Sequence, residues 1–217
     1  IKIWEKMDNW LGKRNARAEY TYADAIQTWV VNMIAGSRRL EHSFDHRYSL
    51  IAHPNFKKGI TPDTISRILR SLAVENTYFT KLSDNKGTKL KGHRVLINPT
   101  KLMREKGNEI NYNEKMNELV LDAAISLGLL KPGDNYELDI DATIIETEVS
   151  DSRTHYKLTG KGYCPMVVVL GGIPMFIEAR NGNSSPAFRN LEVLRNAIEL
   201  FKSRGLRIKF VRIDAAG

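Results

Sequence analysis

At 217 residues, 42% apolar and 27% charged, the chain is long enough for one large domain or two small ones with a buried core. No apolar run approaches the roughly 18 residues of a membrane helix, and no signal-peptide pattern opens the chain. The single Cys164 excludes an internal disulfide framework, and with five scattered histidines it gives no zinc spacing.

The net charge of +8 is unevenly spread. Residues 1–106 carry 20 Lys and Arg against 10 Asp and Glu; residues 107–150 carry 2 against 10; residues 151–217 carry 11 against 5. Two basic flanks around an acidic centre predict a polyanionic partner such as DNA, with metal ions between the acids and the phosphates. The chain has no initiator methionine and stops just after a strand-like run, so a piece of a longer protein is expected.

In chain order, Ile3, Trp4, Met7, Trp10 and Leu11 recur at helical spacing. Thr21 is a predicted N-cap for a helix over 22–35 with Ile26, Trp29, Val30, Met33 and Ile34 on its inner face, ended by Gly36. A further helix is predicted over 38–51. The next helix is marked most clearly: Thr61 caps it, Pro62 opens it, and Asp63 complements its dipole. Its stripe Ile65, Ile68, Leu69 and Leu72 faces inward, while Arg67 and Arg70 lie away from it and Lys57 and Lys58 precede the cap. A turn leading into such a helix is similar to the second half of a helix-turn-helix, which makes these four cations candidates for DNA contact.

Residues 76–98 form either a basic loop or a hairpin, with Val95–Ile97 as a short strand, and helix returns over 116–130. Lys131-Pro-Gly-Asp134 then turns the chain into Tyr136–Ile145, a strand by its alternation. Tyr136, Leu138, Ile140 and Ala142 share its apolar face; Glu137, Asp139, Asp141 and Thr143 share the other. Nothing in packing asks for two acids there, and a divalent cation with oxygen ligands would explain them.

A polar connection over 146–162 carries Arg153, Lys157 and Lys161. Strands are predicted at 166–170 and 174–180, the second ending in Arg180; these four cations are candidates for phosphate contact. A helix over 186–203 and a last strand over 207–214 complete the series, with Ile208, Phe210, Arg212 and Asp214 on one face. Three antiparallel strands, a helical crossover and a parallel strand would set Asp214 beside Asp141. The predicted organisation is a helical, basic, DNA-binding region over 1–110, a connecting helix and turn over 111–134, and a β-β-β-α-β domain over 135–217.

That strand order, with an acid on the first and fourth strands, resembles the ribonuclease H-like fold. The stretches Leu138-Asp-Ile-Asp-Ala-Thr143, Gly162-Tyr-Cys-Pro-Met166, Gly182-Asn-Ser-Ser185 and Arg212-Ile-Asp-Ala-Ala-Gly217 resemble the DDE transposases of the IS4 superfamily, and within it the IS1380 group. Tyr22-Ala-Asp24, Gly36 and Thr61-Pro-Asp-Thr64 are similar to that group's N-terminal region. The resemblance implies an α/β (α+β overall) fold: a helical N-terminal region, then a truncated ribonuclease H-like domain. It implies strand cleavage and transfer at insertion-sequence ends, with two Mg²⁺ ions (or Mn²⁺) held by Asp141 and Asp214, and Asp139 as an acid supporting them.

The Asp-x-Thr spacing to Thr143 favours Asp141 over Asp139, whereas Ala215-Ala216 departs from the family's Ser-Gly. The third carboxylate is expected beyond residue 217, leaving this chain inactive by itself. Also implied are double-stranded DNA as partner, a homodimer in the active complex, and a prokaryotic, nucleoid-associated cytoplasmic location. A structure-specific nuclease or resolvase of the same fold, or a truncated transposase that only binds DNA, stays open.

Overall fold

The structure, a computed structural model, describes residues 3–15, 17–37, 39–41, 60–81, 93–147, 149–154 and 160–213. Two compact units divide the chain, residues 1–73 and 74–217. Helix 38–51 as predicted lies largely outside the described residues, as do Lys57, Lys58, Lys157 and Asp214.

The first unit contains α1 (Ile3–Leu11), α2 (Tyr22–Ile34) and α3 (Pro62–Arg70). Thr21 and Asp24 form a reciprocal capping box at α2, and Asp8 of α1 accepts the Ala23 N–H at 2.9 Å. The inner face of α2 is the predicted one only in part: Ile26 is buried as expected. Ala25, Thr28 and Asn32 are buried, whereas Trp29, Met33 and Ile34 are exposed. Ala25 packs with Ile60, Ile65 and Ile68, a core in which small residues on α2 allow close approach to α3. Thr61 caps α3 through the Thr64 N–H, and the helix stops at Arg70, before Leu72 of the predicted stripe.

The second unit opens with β1 (Thr77–Lys81) and β2 (His93–Val95), an antiparallel pair that decides between loop and hairpin in favour of the hairpin. Helix α4 (Lys101–Lys106) and β3 (Asn108–Asn111) follow; β3 buries only Ile110, too little pattern to be read from sequence. Then come α5 (Glu114–Ser126) and β4 (Asn135–Ala142). The end of the predicted strand and the polar connection after it contribute β5 (Ile145–Glu146), β6 (Arg153–Thr154) and β7 (Lys161–Tyr163), a small sheet ordered β5-β7-β6. Strands β8 (Met166–Leu170) and β9 (Ile173–Arg180), helix α6 (Asn190–Ser203) and strand β10 (Arg207–Ile213) complete the unit.

The fold is mixed α/β, with six helices and a mixed seven-stranded sheet among the described residues, ordered β10-β4-β8-β9-β3-β1-β2. Only β10 and β4 pair in parallel; the other neighbours are antiparallel. Helices α5 and α6 cover one face, where Leu121, Ala124, Val193, Ala197 and Phe201 pack on Leu138, Ile140, Met166, Val168 and Leu170. The sheet thus includes β1, β2 and β3, from a stretch grouped by composition with the basic N-terminal region.

Strand β10 carries a bulge. Ile208 pairs with Tyr136 and Phe210 with Glu137, leaving Lys209 as the extra residue. Simple alternation put Ile208 on the face of Phe210 and Arg212. The bulge instead turns Ile208 to the core beside Val211, while Phe210 and Arg212 stay on the outer face.

Candidate active site

Strand β4 ends at Ala142, short of the predicted Ile145, and up to there it meets the pattern read from its sequence. Leu138 and Ile140 are buried in the core, and Asp139 and Asp141 stand on the opposite face. Antiparallel pairing sets Asp141 opposite Val167 of β8, and parallel pairing sets Asp139 opposite Arg212 of β10.

The two acids have different surroundings. Arg212 holds both oxygens of Asp139: its Nε donates to Oδ1 and its Nη2 to Oδ2 at 2.9 Å, the two-pronged geometry of a guanidinium on a carboxylate. Arg212 also lies 3.3 Å from Glu137 Oε2. Hydrogen bonding to Arg212 holds the Asp139 carboxyl below its usual range and raises the guanidinium in turn. Asp141 is exposed, and its Oδ1 accepts the Ala142 N–H at 2.7 Å. No cation among the described residues forms an ion pair with it.

The last described pair of β4 and β10 is Ile140 with Ile213. Along the sequence Asp141 follows Ile140, as Asp214 follows Ile213. No group of three or more metal-ligating side chains occurs among the described residues.

The predicted cations fall in several places. Arg67 and Arg70 are exposed on α3 in the first unit, with Arg67 Nη2 donating to Thr64 Oγ1 at 3.3 Å. Lys161 is exposed at the start of β7. Arg153 is not a free loop charge: it pairs with Glu109 at 3.2 Å and donates to the Gly107 carbonyl at 2.8 Å. Arg180 corrects the expectation of a phosphate contact most plainly. It is 2% exposed, and its Nε donates to Glu178 Oε1 at 2.8 Å inside the unit. Its strand partners explain this, because Glu178 and Arg180 occur at i and i+2 and both face inward.

Two of the motif stretches are stacked directly. The Gly182 N–H donates to the Gly162 carbonyl at 2.9 Å. A Cβ at Gly182 would lie 2.5 Å from that oxygen and 2.6 Å from the Arg153 carbonyl, so only glycine fits. Asn181 locks the crossing. Its Oδ1 accepts the Arg153 N–H at 2.8 Å, and its Nδ2 donates to Glu109 and to the Asp151 carbonyl.

Glu109 is a hub that sequence reasoning missed, accepting from Asn76, Tyr78, Arg153 and Asn181. Its signal was faint: one acid in a four-residue polar strand. Arg212 belongs to the Arg-x-Asp stretch, but nothing in that stretch shows its grip on Asp139.

No protein-family model matches the chain, and no curated protein and no solved structure matches it. No described helix is long and apolar enough to cross a membrane.

Proposed function

We propose that the chain is part of a DDE-type DNA transposase with a ribonuclease H-like catalytic domain, acting by metal-dependent phosphoryl transfer on DNA. The observation that carries this reading is the parallel pairing of β10 with β4 at the edge of an otherwise antiparallel sheet. It brings the strand bearing Asp141 against the strand that leads into Asp214, joined through a helical crossover.

The donor chemistry fits Mg²⁺ at Asp141: a hard oxygen ligand, exposed, and outside any ion pair among the described residues. Asp139 fits less well, because Arg212 occupies both of its oxygens. Asp214 is proposed as the second ligand. When bound, such ions would activate the attacking oxygen and stabilise the leaving one.

The chain's own residues orient the site. The Ala142 N–H fixes the Asp141 carboxylate, and Arg212 neutralises the neighbouring acid so that the two do not repel. Arg67, Arg70 and Lys161 are proposed to contact DNA phosphates, and a homodimer is proposed for the active complex.

Mn²⁺ titration followed by electron paramagnetic resonance tests the site. Asp141→Asn is expected to remove the tightest Mn²⁺ site and Asp139→Asn to retain it. Equal Mn²⁺ binding by wild type and Asp141→Asn would sink the assignment.

A further inference from the structure

The corner between α1 and α2 encloses a cavity of about 240 Å³, and two cations line it. Gly12 ends α1 in a left-handed turn, and Lys13 and Arg14 after it share the cavity with Tyr20 and Thr21, the two residues before α2. Arg14 is fixed in place. Its Nη1 donates to the Tyr20 carbonyl, and its guanidinium lies over the Tyr22 ring at 6.0 Å. The other N–H groups of Arg14 make no hydrogen bond among the described residues. Lys13 is exposed, and neither cation forms an ion pair among the described residues.

The one acid lining the cavity, Asp8, is already engaged. Its Oδ1 accepts the Ala23 N–H at 2.9 Å, beside the positive end of α2. Thr21 and Asp24 close that helix start with their capping box, so an anion here would meet side-chain donors and not free helix N–H groups. Two cations against one engaged carboxylate leave the cavity a net positive charge. Ala18 and Tyr20 give it an apolar wall.

Size narrows the ligand. Sites that enclose a whole small molecule run from about 300 to 1,000 Å³, so this smaller cavity suits one segment of a longer molecule. That segment needs an anion for Lys13 and Arg14 and an uncharged, partly apolar body for the wall of Ala18 and Tyr20. A sugar–phosphate unit of a nucleic acid strand has both, and Arg and Lys side chains are the usual partners of its phosphate.

We propose that the corner between α1 and α2 seats one backbone phosphate of duplex DNA between Lys13 and Arg14, with its deoxyribose against Ala18 and Tyr20. The seat rests on the reading of the chain as one that acts on DNA, and it adds a contact made by neither Arg67 nor Arg70. A backbone contact fixes position and carries no sequence information, so the seat serves a duplex of any sequence. Arg14 is pre-organised for it by the Tyr20 carbonyl and the Tyr22 ring, while exposed Lys13 closes on the phosphate from the other side.

The test follows binding of a short duplex of arbitrary sequence to the whole chain by fluorescence anisotropy, between about 50 and 200 mM salt. Lys13→Gln is expected to weaken binding about tenfold at the low-salt end, the scale of one charge-assisted hydrogen bond. Lys13→Gln combined with Arg14→Gln is expected to make the slope of log affinity against log salt shallower by about 0.9, because both cations neutralise one phosphate. Lys6→Gln, exposed on α1 and outside the cavity lining, controls for net charge and should leave the slope unchanged. An unchanged slope in the double variant overturns the seat while the DNA reading stands, as does an equal loss in Lys6→Gln. A slope shallower by about 1.8 puts the two cations on separate phosphates and overturns the shared seat. Absence of duplex binding by the wild type overturns both. Should the double variant lose the helical circular dichroism of the wild type, Lys13→Gln decides alone, and unchanged affinity there overturns the seat. Inorganic phosphate exchanged for chloride at equal ionic strength separates the sources. Undisturbed duplex binding is expected, since a free ion lacks the sugar; displacement by millimolar phosphate assigns the cavity to a free anion and overturns the proposal.

Discussion

Arg212 of β10 grips Asp139 of β4 by both carboxylate oxygens, so one of the three acids on the outer face of β4 is neutralised across the parallel pairing of the two strands. Asp139 is expected to titrate below its ordinary value in the folded protein. Because its folded pKa is depressed, the pair stabilises the fold above the unfolded carboxylate pKa, and that contribution is lost as pH falls through the folded one. Carboxyl-carbon NMR titration checks this: Arg212→Gln should return Asp139 towards its ordinary value. Arg212 is exposed and Asp139 only half-buried, so the thermal midpoint at neutral pH should hardly move.

The Glu178–Arg180 pair is the opposite case, with both side chains only 1% exposed. Removing one partner leaves an uncompensated buried charge. Glu178→Gln or Arg180→Leu should each cost about 3–5 kcal/mol in urea unfolding. Replacing both by apolar residues of similar volume should cost far less than the two single changes summed.

Gly182→Ala should destabilise by about 1–3 kcal/mol, because its methyl would run into two carbonyl oxygens that belong to backbone and cannot swing away. Chemical denaturation reads this directly. Gly172→Ala makes the control for position. Nothing lies within 4 Å of its added carbon, and its cost comes from its φ of 83° alone.

Arg67 and Arg70 stand exposed on α3 and take no part in its core, with Arg67 donating to Thr64 beside the cap. Replacing both by Ala should leave the circular dichroism unchanged and weaken duplex binding. The slope of log affinity against log salt should become shallower by about 2, since each phosphate left unneutralised takes roughly 0.9 from it. An unchanged slope would contradict the proposed contact of α3 with DNA.

Strands and caps with strong local chemistry were legible in the sequence. Thr21, Thr61 and Pro62 mark helix starts that the structure places at the same residues, and the alternation over 136–142 assigned both faces of β4 correctly. What failed was set by partners. The inner face of α2 follows where α3 packs, which favours Ala25 over the larger Trp29. Lys209 is a bulge because β10 must match the register of β4, a fact absent from its own alternation. Strands of two to four residues, such as β3, β5 and β6, have too few positions to show a period. At the site, the two acids were visible as an unexplained pair, but Arg212's hold on one of them depends on a neighbour 73 residues away in sequence.

The most direct test of the proposed chemistry is Mg²⁺-dependent strand cleavage by the full-length protein on DNA carrying the element's ends. Wild type is compared with Asp141→Asn, Asp214→Asn and Asp139→Asn. The proposal predicts that cleavage is abolished by the first two changes and survives, weakened, in the third. Cleavage that persists undiminished in Asp141→Asn and Asp214→Asn would contradict it.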